Sequence, residues 1–524
     1  MNTKYIFVTG GVVSGLGKGI TAAALGRLLK NRGYKVVIQK FDQYINIDPG
    51  KMNPIEHGEV FVTDDGTETD LDLGHYERFI DENLTCKSSL TTGKIYSSVI
   101  NKERSGEYGG KTVQVIPHIT NEVKENIYSF KNTDVDIVIV EIGGTVGDIE
   151  GLYLIEAIRQ IGTENLKEDV AYVHVTLLPY ISGSNELKSK PTQHSVKELQ
   201  SFGIKPDILV CRSDVPIPHE LKEKISLFCN VTPDNVIENK TVNCLYEVPL
   251  MLEKEGLGNQ ICKHLQIENK VDNKKWEEIV NKYIYAEKEI NIAIVGKYTQ
   301  LEDSYLSVIE SITHAGINND VKVNIEIINS NELLEENVKE KLSKFSGIIV
   351  PGGFGKEGTE GKIIAIKYAR ENNIPFLGIG LGMQLSVIEF ARNVLNIKDA
   401  TTEEFDKTAE NKIIHIISDN SNTMRLGSYP CLLKDNSLAH NIYNEKTINE
   451  RHRNKYEFNN SYLEILENNG MIVSGKSVDG RFVEIVEIQN NKFFIGTQFH
   501  PEFKSRPNRP APLFDSLIKA CIIK

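Results

Sequence analysis

A glycine-rich stretch near the amino terminus carries the residue types of a phosphate-binding loop. An apolar, β-rich run at 5–9 enters it, and a helix-compatible run at 21–30 leaves it. Glycines let backbone N–H groups turn towards a polyphosphate, the helix N-terminus adds positive charge, and Lys18 supplies a cation for the terminal phosphates. The stretch therefore predicts nucleotide binding.

The loop departs from the usual phosphate-loop pattern at two positions. Val12 stands where a glycine is usual, and Gly19 follows the lysine where Ser or Thr is usual. Thr21 and Ser14 are the two candidates for the missing hydroxyl group.

The carboxyl-terminal half contains several residues that are typical of a nucleophilic catalytic site. The run Pro351-Gly352-Gly353 follows a predicted strand, which suits an oxyanion hole. His500 and Glu502 lie two apart on a predicted extended segment, where a carboxylate can orient an imidazole. The stretch 375–384 reads as strand, sharp turn and helix, like a nucleophile elbow, but its central residue is Gly380.

Acidic residues follow or end predicted strands in the front half. Glu141 lies near the end of the strand 137–142, and further carboxylates cluster at 64–65 and 70–72. A strand that ends in a carboxylate opposite a phosphate loop is a common place for Mg²⁺.

The composition is that of a globular protein without a nucleic-acid signature. Apolar residues make up 40% and charged residues 25% of the 524 residues, and the formal net charge is −12. That balance argues against a generic DNA or RNA binder. No signal peptide or membrane span is predicted, and seven cysteines without a C-x-x-C pair are typical of reduced thiols in a cytoplasmic protein.

The elements that must position these residues alternate between strands and helices. This pattern predicts an α/β protein with two doubly wound, mostly parallel sheets, whose ligands bind at the carboxyl ends of the strands. A polar, Lys- and Asn-rich stretch breaks the pattern after about residue 266. We therefore expect domains at 1–267 and 290–524, joined by a linker at 268–289.

Long stretches of the chain resemble the CTP synthase family, in which an ATP-dependent amidoligase domain precedes a class I glutamine amidotransferase domain. The resemblance spans both halves and rests on the runs 7–14, 57–62, 69–79, 188–197 and 498–503. It implies that ATP phosphorylates O4 of UTP and that ammonia from glutamine then displaces the phosphate to give CTP.

The resemblance implies a role for each matching residue of the front half. For ATP these residues are Gly15, Leu16, Gly17, Lys18, Gly19, Ile20, Lys40, Asp72, Lys240, Thr241 and Val242. Asp72 and Glu141 would hold Mg²⁺. For UTP, and for CTP as feedback inhibitor, they are Ser14, Asp148, Ile149, Glu150, Lys188, Ser189, Lys190, Pro191, Thr192, Gln193 and Lys224. Thr241 replaces an acid that is common in the family.

In the rear half the resemblance implies that His500 is the general base and Glu502 its orienting carboxylate. The glutamine-binding residues would be Gly353, Leu381, Gly382, Met383, Gln384, Glu404 and Lys455. Two positions in this half depart from the family: Lys455 replaces an arginine, and Gly380 replaces the nucleophilic cysteine. Since glycine cannot form a thiolate, we expect ammonia-dependent synthesis without glutamine hydrolysis. The residues leave open whether this glycine is natural or deliberate.

The family further implies activation by GTP, a homotetramer and, in some members, filaments. Two rival interpretations stay open at this point. One is another phosphate-loop amidoligase with a fused amidotransferase domain, such as those that amidate corrinoid carboxylates. The other is a nucleotide-gated scaffold that makes no CTP.

Overall fold

The chain folds into two compact units. The computed structural model describes residues 2–13, 15–416 and 424–523. The first unit comprises Met1–Pro49 and Asp72–Asn281, and the second comprises Gly50–Leu71 and Lys282–Lys524. Residues 50–71 thus pack with the second unit, although the sequence analysis places them in the front domain.

The strands of the described residues are numbered in chain order. They are β1 Lys4–Gly10, β2 Val36–Asp42, β3 Phe61–Val62, β4 Glu68–Thr69, β5 Ser89–Thr91, β6 Ile137–Ile142, β7 Val170–Leu177, β8 Tyr180–Ile181, β9 Glu186–Leu187, β10 Ile208–Ser213, β11 Val236–Lys240, β12 Lys288–Gly296, β13 Val321–Asn329, β14 Gly347–Val350, β15 Phe376–Ile379, β16 Thr401–Thr402, β17 Lys412–Ile416, β18 Arg425–Leu433, β19 Thr447–Asn454, β20 Tyr456–Phe458, β21 Met471–Ser477, β22 Val483–Ile488 and β23 Phe494–Thr497.

The α-helices are numbered in the same way. They are α1 Lys18–Lys30, α2 Pro54–His57, α3 Asp72–Ile80, α4 Thr92–Arg104, α5 Thr120–Ile127, α6 Leu152–Glu164, α7 Lys190–Ser201, α8 His219–Cys229, α9 Val248–Lys254, α10 Leu257–Leu265, α11 Lys274–Ile284, α12 Leu306–Asn318, α13 Val338–Leu342, α14 Thr359–Glu371, α15 Leu381–Asn393, α16 Leu438–Tyr443, α17 Leu463–Glu467 and α18 Pro512–Ile522.

A seven-stranded parallel sheet forms the centre of the first unit. Its order is β11-β10-β7-β1-β6-β2-β5, so β1 pairs with β6 on one side and β7 on the other. The central strands are apolar and buried, as expected when helices cover both faces. The carboxyl ends of β1, β6 and β2 therefore meet at one edge, which positions the residues that follow them.

The second unit contains a nine-stranded mixed sheet with the order β13-β12-β14-β15-β23-β22-β21-β18-β19. The first five strands in this order, β13, β12, β14, β15 and β23, run parallel to one another. The remaining strands, β22, β21, β18 and β19, extend the sheet with antiparallel pairs. Two apolar clusters cover its faces, one with α14 and α15 and one with α12 and α18. These two sheets confirm the predicted α/β class.

Lys40 and Asp42 lie at the end of β2, where they are buried and form an ion pair at 3.5 Å. One element differs from the sequence prediction. Part of the predicted linker is helical: α11 buries Trp276, whose indole N–H donates to the carbonyl oxygen of Tyr246 at 2.8 Å. Across the described part of the chain, no helix has the length and apolar character needed to cross a membrane.

Candidate active sites

A sharp turn at Gly380 joins β15 to α15 in the second unit. Gly380 has φ 53° and ψ −109°, a conformation that side chains rarely adopt. The turn is fixed by two backbone hydrogen bonds, from the Gly380 N–H to the Thr497 carbonyl oxygen at 2.7 Å and from the Gln384 N–H to the Gly380 oxygen at 3.1 Å. This is the strained strand–turn–helix geometry of a nucleophile elbow.

The imidazole of His500 lies directly against this turn. A Cβ atom built on Gly380 would lie 3.2 Å from Nε2 of His500 and 3.7 Å from the Cα of Gly352. On its other side, Nδ1 of His500 contacts Oε1 of Glu502 at 2.7 Å. Because a carboxylate can only accept, Nδ1 carries the proton and Nε2 presents its lone pair to the turn. The orienting carboxylate and the base of a triad are thus in place.

A cavity of about 270 Å³ opens in front of the turn. Gly353, Leu381, Gln384, Glu404 and Lys455 line it together with Gly380, His500 and Glu502. Opposite charges on Glu404 and Lys455 would complement the α-ammonium and α-carboxylate groups of an amino acid. Burial raises the pKa of Glu404, while the Gly355 N–H, which donates to Oε1 at 2.7 Å, and the nearby lysines oppose that shift.

The remaining predicted glutamine-binding residues, Gly382 and Met383, are not among the residues that line the cavity. Gly382 packs against the backbone of Val350, and Met383 is fully buried in the apolar cluster next to Gly496. Any contact of these two residues with a ligand would have to come through the backbone of the first turn of α15. The N–H groups of that turn have no partner within the helix.

Sequence reasoning missed the contribution of residues 50–71 to this cavity. Gly50, Lys51, Met52, Pro54, Glu59 and Val60 belong to its lining. Arg451 holds the segment by donating from Nε to Oδ1 of Asp64 at 2.6 Å, and Arg453 donates to Oε1 of Glu68 at 2.8 Å. No sequence signal gives this placement, since the segment precedes the rest of its unit by more than 200 residues.

The glycine-rich loop of the first unit lies between β1 and α1, as predicted. Gly17 is the N-cap of α1 with φ 90°, and Lys18 is buried with Nζ donating to the Gly144 carbonyl oxygen at 2.8 Å. Burial lowers the pKa of Lys18, while the Glu141 carboxylate opposes that shift. Thr21 donates to the Gly17 oxygen at 2.8 Å, so its hydroxyl is already engaged. Ser14 lies outside the described residues.

The two predicted metal ligands approach the same lysines. Asp72 is the first residue of α3 and forms an ion pair with Lys40. Its carboxylate lies next to Gly19 at the start of α1. Glu141 is buried in β6 and accepts from the hydroxyl of Tyr76. Both carboxylates interact electrostatically with Lys18 and with each other. The structure thus brings together Lys18, Lys40, Asp72 and Glu141.

The electrostatics of these two carboxylates differ. Burial favours a higher pKa for Asp72, but the positive groups around it, with Lys40 first and Lys18 also contributing, together hold that pKa below its usual value. Burial raises the pKa of Glu141, and the Asp72 charge raises it further. A buried carboxylate, Glu141, and a partly buried one, Asp72, that repel each other fit a divalent cation, which would neutralise both. Mg²⁺ needs only one or two protein carboxylates when phosphate oxygens supply other ligands.

The predicted adenine segment lies at the end of β11, where Lys240 and Thr241 are exposed and Val242 is partly buried. Arg212, which the sequence analysis missed, links this segment to the loop. Its Nη2 lies 3.5 Å from Oγ1 of Thr241, and its Nη1 lies 3.5 Å from the Cβ position of Gly17. Arg212 lies near the carboxyl end of β10, and because ligands of such sheets bind at the carboxyl ends of strands, this position could have identified it from the sequence.

The residues predicted for UTP fall into three groups. Asp148, Ile149 and Glu150 follow β6, where Asp148 accepts from the Thr145 N–H at 2.8 Å and Ile149 is exposed. Lys188, Ser189, Lys190, Pro191, Thr192 and Gln193 surround the start of α7, and Thr192 is anchored to the Leu177 carbonyl oxygen at 3.0 Å. Lys224 lies on α8 and lines an open cavity of about 480 Å³ beside the β8–β9 hairpin.

A buried hydrogen-bond chain links α7 to the end of β1. Nδ1 of His174 contacts Oγ1 of Thr9 at 2.9 Å, and its Nε2 contacts Oγ of Ser195 at 2.7 Å. Burial lowers the pKa of His174 to about 3, with a further contribution from Lys18, so this imidazole is neutral near pH 7. These hydrogen bonds connect the start of the glycine loop to α7, the helix that begins within residues 188–193, which we call the basic strip because it carries Lys188 and Lys190.

These geometries define a two-part α/β enzyme, with a phosphate-loop unit and a unit of class I amidotransferase architecture. Comparisons with known proteins agree. The family described as CTP synthase N-terminus matches residues 4–267, and the class-I glutamine amidotransferase family matches residues 300–520.

Curated relatives match along the whole chain. A CTP synthase of Clostridium kluyveri is 58% identical, covering 100% of this chain and 99% of the relative. A CTP synthase of Clostridium acetobutylicum is also 58% identical and covers 100% of both chains. A solved structure of the glutaminase domain of Trypanosoma brucei CTPS with bound acivicin is 38% identical, with a TM-score of 0.44. That alignment covers 45% of this chain and 94% of the other. The chain belongs to the CTP synthase family and carries its glutamine amidotransferase domain.

Proposed function

We propose that this protein makes CTP from UTP, ATP and free ammonia, and that it cannot release ammonia from glutamine. The first half of this proposal is supported by membership of the family and by the grouping of Lys18, Lys40, Asp72 and Glu141. The second half rests on Gly380.

The position of Gly380 relative to His500 is the observation that carries the proposal. A side chain at this turn would start 3.2 Å from Nε2 of His500, which is where a nucleophile must lie for its proton to pass to the base. Glycine supplies neither thiol nor hydroxyl. Among the described residues that line the cavity there is no cysteine to replace it. The covalent glutamyl intermediate therefore cannot form.

In the first unit, we assign binding of the ATP phosphates to the N–H groups of the loop 15–20 and to Lys18. Lys40 would add a second cation, and the segment Lys240–Val242 would contact the adenine. Asp72 and Glu141 would hold Mg²⁺, which when bound neutralises the charge that develops on the phosphates during transfer. The ammonium groups of Lys18 and Lys40 would also neutralise part of the phosphate charge.

UTP is assigned to the basic strip 188–193 and to the acidic turn at 148–150, with Lys224 contributing charge. The lysines of the strip suit a triphosphate, and the assignment is supported by the hydrogen bonds of His174, which connect α7 to the end of β1. CTP as feedback inhibitor, GTP as activator and a homotetramer are further parts of this proposal, drawn from the family.

The test compares CTP formation from UTP and ATP with ammonia against formation with glutamine, each with and without GTP. We expect turnover with ammonia alone. A Gly380→Cys variant should gain glutamine-dependent turnover, because His500, Glu502, Glu404 and the cavity are retained. A variant with no gain would show that the rest of the glutaminase site is also disabled.

A further inference from the structure

The base and its orienting carboxylate keep their geometry although the turn they serve has no side chain. Nε2 of His500 faces the Gly380 turn, and Nδ1 is held by Glu502 at 2.7 Å. Both residues are buried, and both line the 270 Å³ cavity. The pair therefore retains the geometry of an oriented general base that faces open space in the cavity.

The space beside Nε2 has the size and surroundings for a small nucleophile. A cysteine would fill it with a Cβ at 3.2 Å and a sulfur beyond that atom, whereas glycine leaves both volumes to the cavity. A water molecule needs less volume than a CH₂–SH group. At hydrogen-bond distance from Nε2 it would lie where the thiol of a family member lies, facing the same substrate carbon.

We propose that this site is a hydrolase in which His500 activates water directly, acting on γ-esters of glutamate. This inference rests on the proposed function, in which Gly380 excludes the covalent route. His500 is the catalytic base, and Glu502 is the residue that positions it. The substrate class follows from Glu404 and Lys455, whose charges match the free α-amino and α-carboxylate groups.

The step balances without a further reactant. The water oxygen bonds to the ester carbonyl carbon while Nε2 of His500 takes one water proton. The tetrahedral intermediate then collapses, the bond between the carbonyl carbon and the alkoxy oxygen breaks, and His500 returns the proton to the leaving alkoxide. The products are glutamate and an alcohol. The N–H groups at the start of α15 and at Gly353 would stabilise the oxyanion.

Esters are the appropriate substrates because an alkoxide leaves more readily than an amide nitrogen. A cysteine enzyme overcomes the poor leaving group with a strong nucleophile and a covalent intermediate. Water activated by one base lacks that advantage. The site should therefore hydrolyse the ester while glutamine, of nearly the same shape, remains intact.

The experiment measures methanol release from L-glutamic acid γ-methyl ester by the full-length chain. We expect a saturable rate above that of buffer, and a rate lower by about 10²-fold or more in His500→Gln, in line with the usual contribution of a general base. Glu502→Gln should lie between the two. His219→Gln is the matched control, since His219 is exposed on α8 of the other unit, and its rate should equal that of the unmodified chain.

Two further measurements separate the outcomes. Thermal unfolding followed by circular dichroism shows whether each variant is folded. Acid-quenched mass spectrometry should find no glutamyl adduct on the unmodified chain, but an adduct on Gly380→Cys. Equal rates for the unmodified chain and a folded His500→Gln variant would overturn the inference. Ammonia-dependent CTP formation, measured on the same protein, tests the proposed function independently of this result.

Discussion

Gly380 and His500 are positioned as a nucleophile and its base, with 3.2 Å between the Cβ position of one and Nε2 of the other. The first prediction follows from the absent thiol. A glutamine analogue with an electrophilic γ-carbon should not label the unmodified chain but should label Gly380→Cys at position 380, as read by peptide mass spectrometry. Labelling of the unmodified chain within this cavity would reveal a nucleophile that our account lacks.

The paired carboxylates of the first unit should be essential for synthesis. Asp72→Asn and Glu141→Gln each remove a charge from the group that faces Lys18 and Lys40. We expect ammonia-dependent CTP formation to fall by about 10²-fold or more, the typical loss for a preorganised electrostatic contact. Glu82→Gln is a suitable control, because Glu82 is half-exposed and pairs with Lys30 at the surface. A loss of similar size in the control would contradict a specific role.

Lys362 should destabilise the second unit at neutral pH. Its side chain is fully buried on α14, and Nζ has no hydrogen-bond partner among the described residues. Burial, helped by Lys297, lowers its pKa to about 7. Between pH 7 and 10.5 the unfolded chain binds a proton that the folded chain does not, so this lysine makes stability rise with pH.

Lys362→Met should therefore unfold at a higher urea concentration than the parent at pH 7. The gain should be on the order of 1–4 kcal/mol, as for other buried charges replaced by apolar residues. It should shrink steadily as the pH rises from 7 to 10.5 and vanish above that value, where the lysine is neutral in both states. Lys367→Met on the same helix is the control, because Lys367 is only partly buried and pairs with Glu335. A gain that does not depend on pH would point to packing instead.

His174 should contribute to acid destabilisation of the first unit. Its pKa is about 3 in the folded chain, below the usual value of about 6.5 in an unfolded chain. Between those values the unfolded state binds more protons, so stability falls as the pH drops from 6.5 to 3, by at most about 1.4 kcal/mol per pH unit from this one group. Above pH 6.5 its contribution does not change.

His174→Gln cannot titrate, so its stability should fall less steeply over that window. The measurement is the urea midpoint at several pH values from 4 to 8, compared with His219→Gln, whose exposed imidazole should leave the slope unchanged. Parallel curves for the parent and His174→Gln would show that the imidazole is protonated in the folded state.

Much of this architecture could be predicted from local sequence. The glycine loop, β1 and α1 follow from glycine spacing and apolar runs, and the elbow around Gly380 follows from a strand, a glycine cluster and a helix. Each of these features is determined by residues that are close together in the sequence, so a short stretch is enough to predict it. The pairing of Asp72 with Glu141 required the resemblance to a family, since 69 positions separate them, although the acidic character of both regions was visible in the local sequence.

Other features depend on contacts that no local pattern records. Residues 50–71 were predicted to belong to the front domain, but they pack with the second unit. Hydrogen bonds from Arg451 to Asp64 and from Arg453 to Glu68 hold them there. The hydrogen bonds from Thr9 through His174 to Ser195 connect β1 to β7 and α7, which lie more than 150 residues further along the sequence. The stretch after residue 266 was predicted to be a linker because most of its residues are polar. Only Trp276, Ile279 and Val280 form a buried face of α11, and so few apolar residues give a weak helical pattern.

The most direct test of the account is the rate of CTP formation with saturating glutamine, divided by the rate with saturating ammonia, for the unmodified chain and for Gly380→Cys. We predict a ratio indistinguishable from zero for the unmodified chain and a clearly measurable ratio for the variant, with similar ammonia-dependent rates in both. Glutamine-dependent synthesis by the unmodified chain would contradict the account.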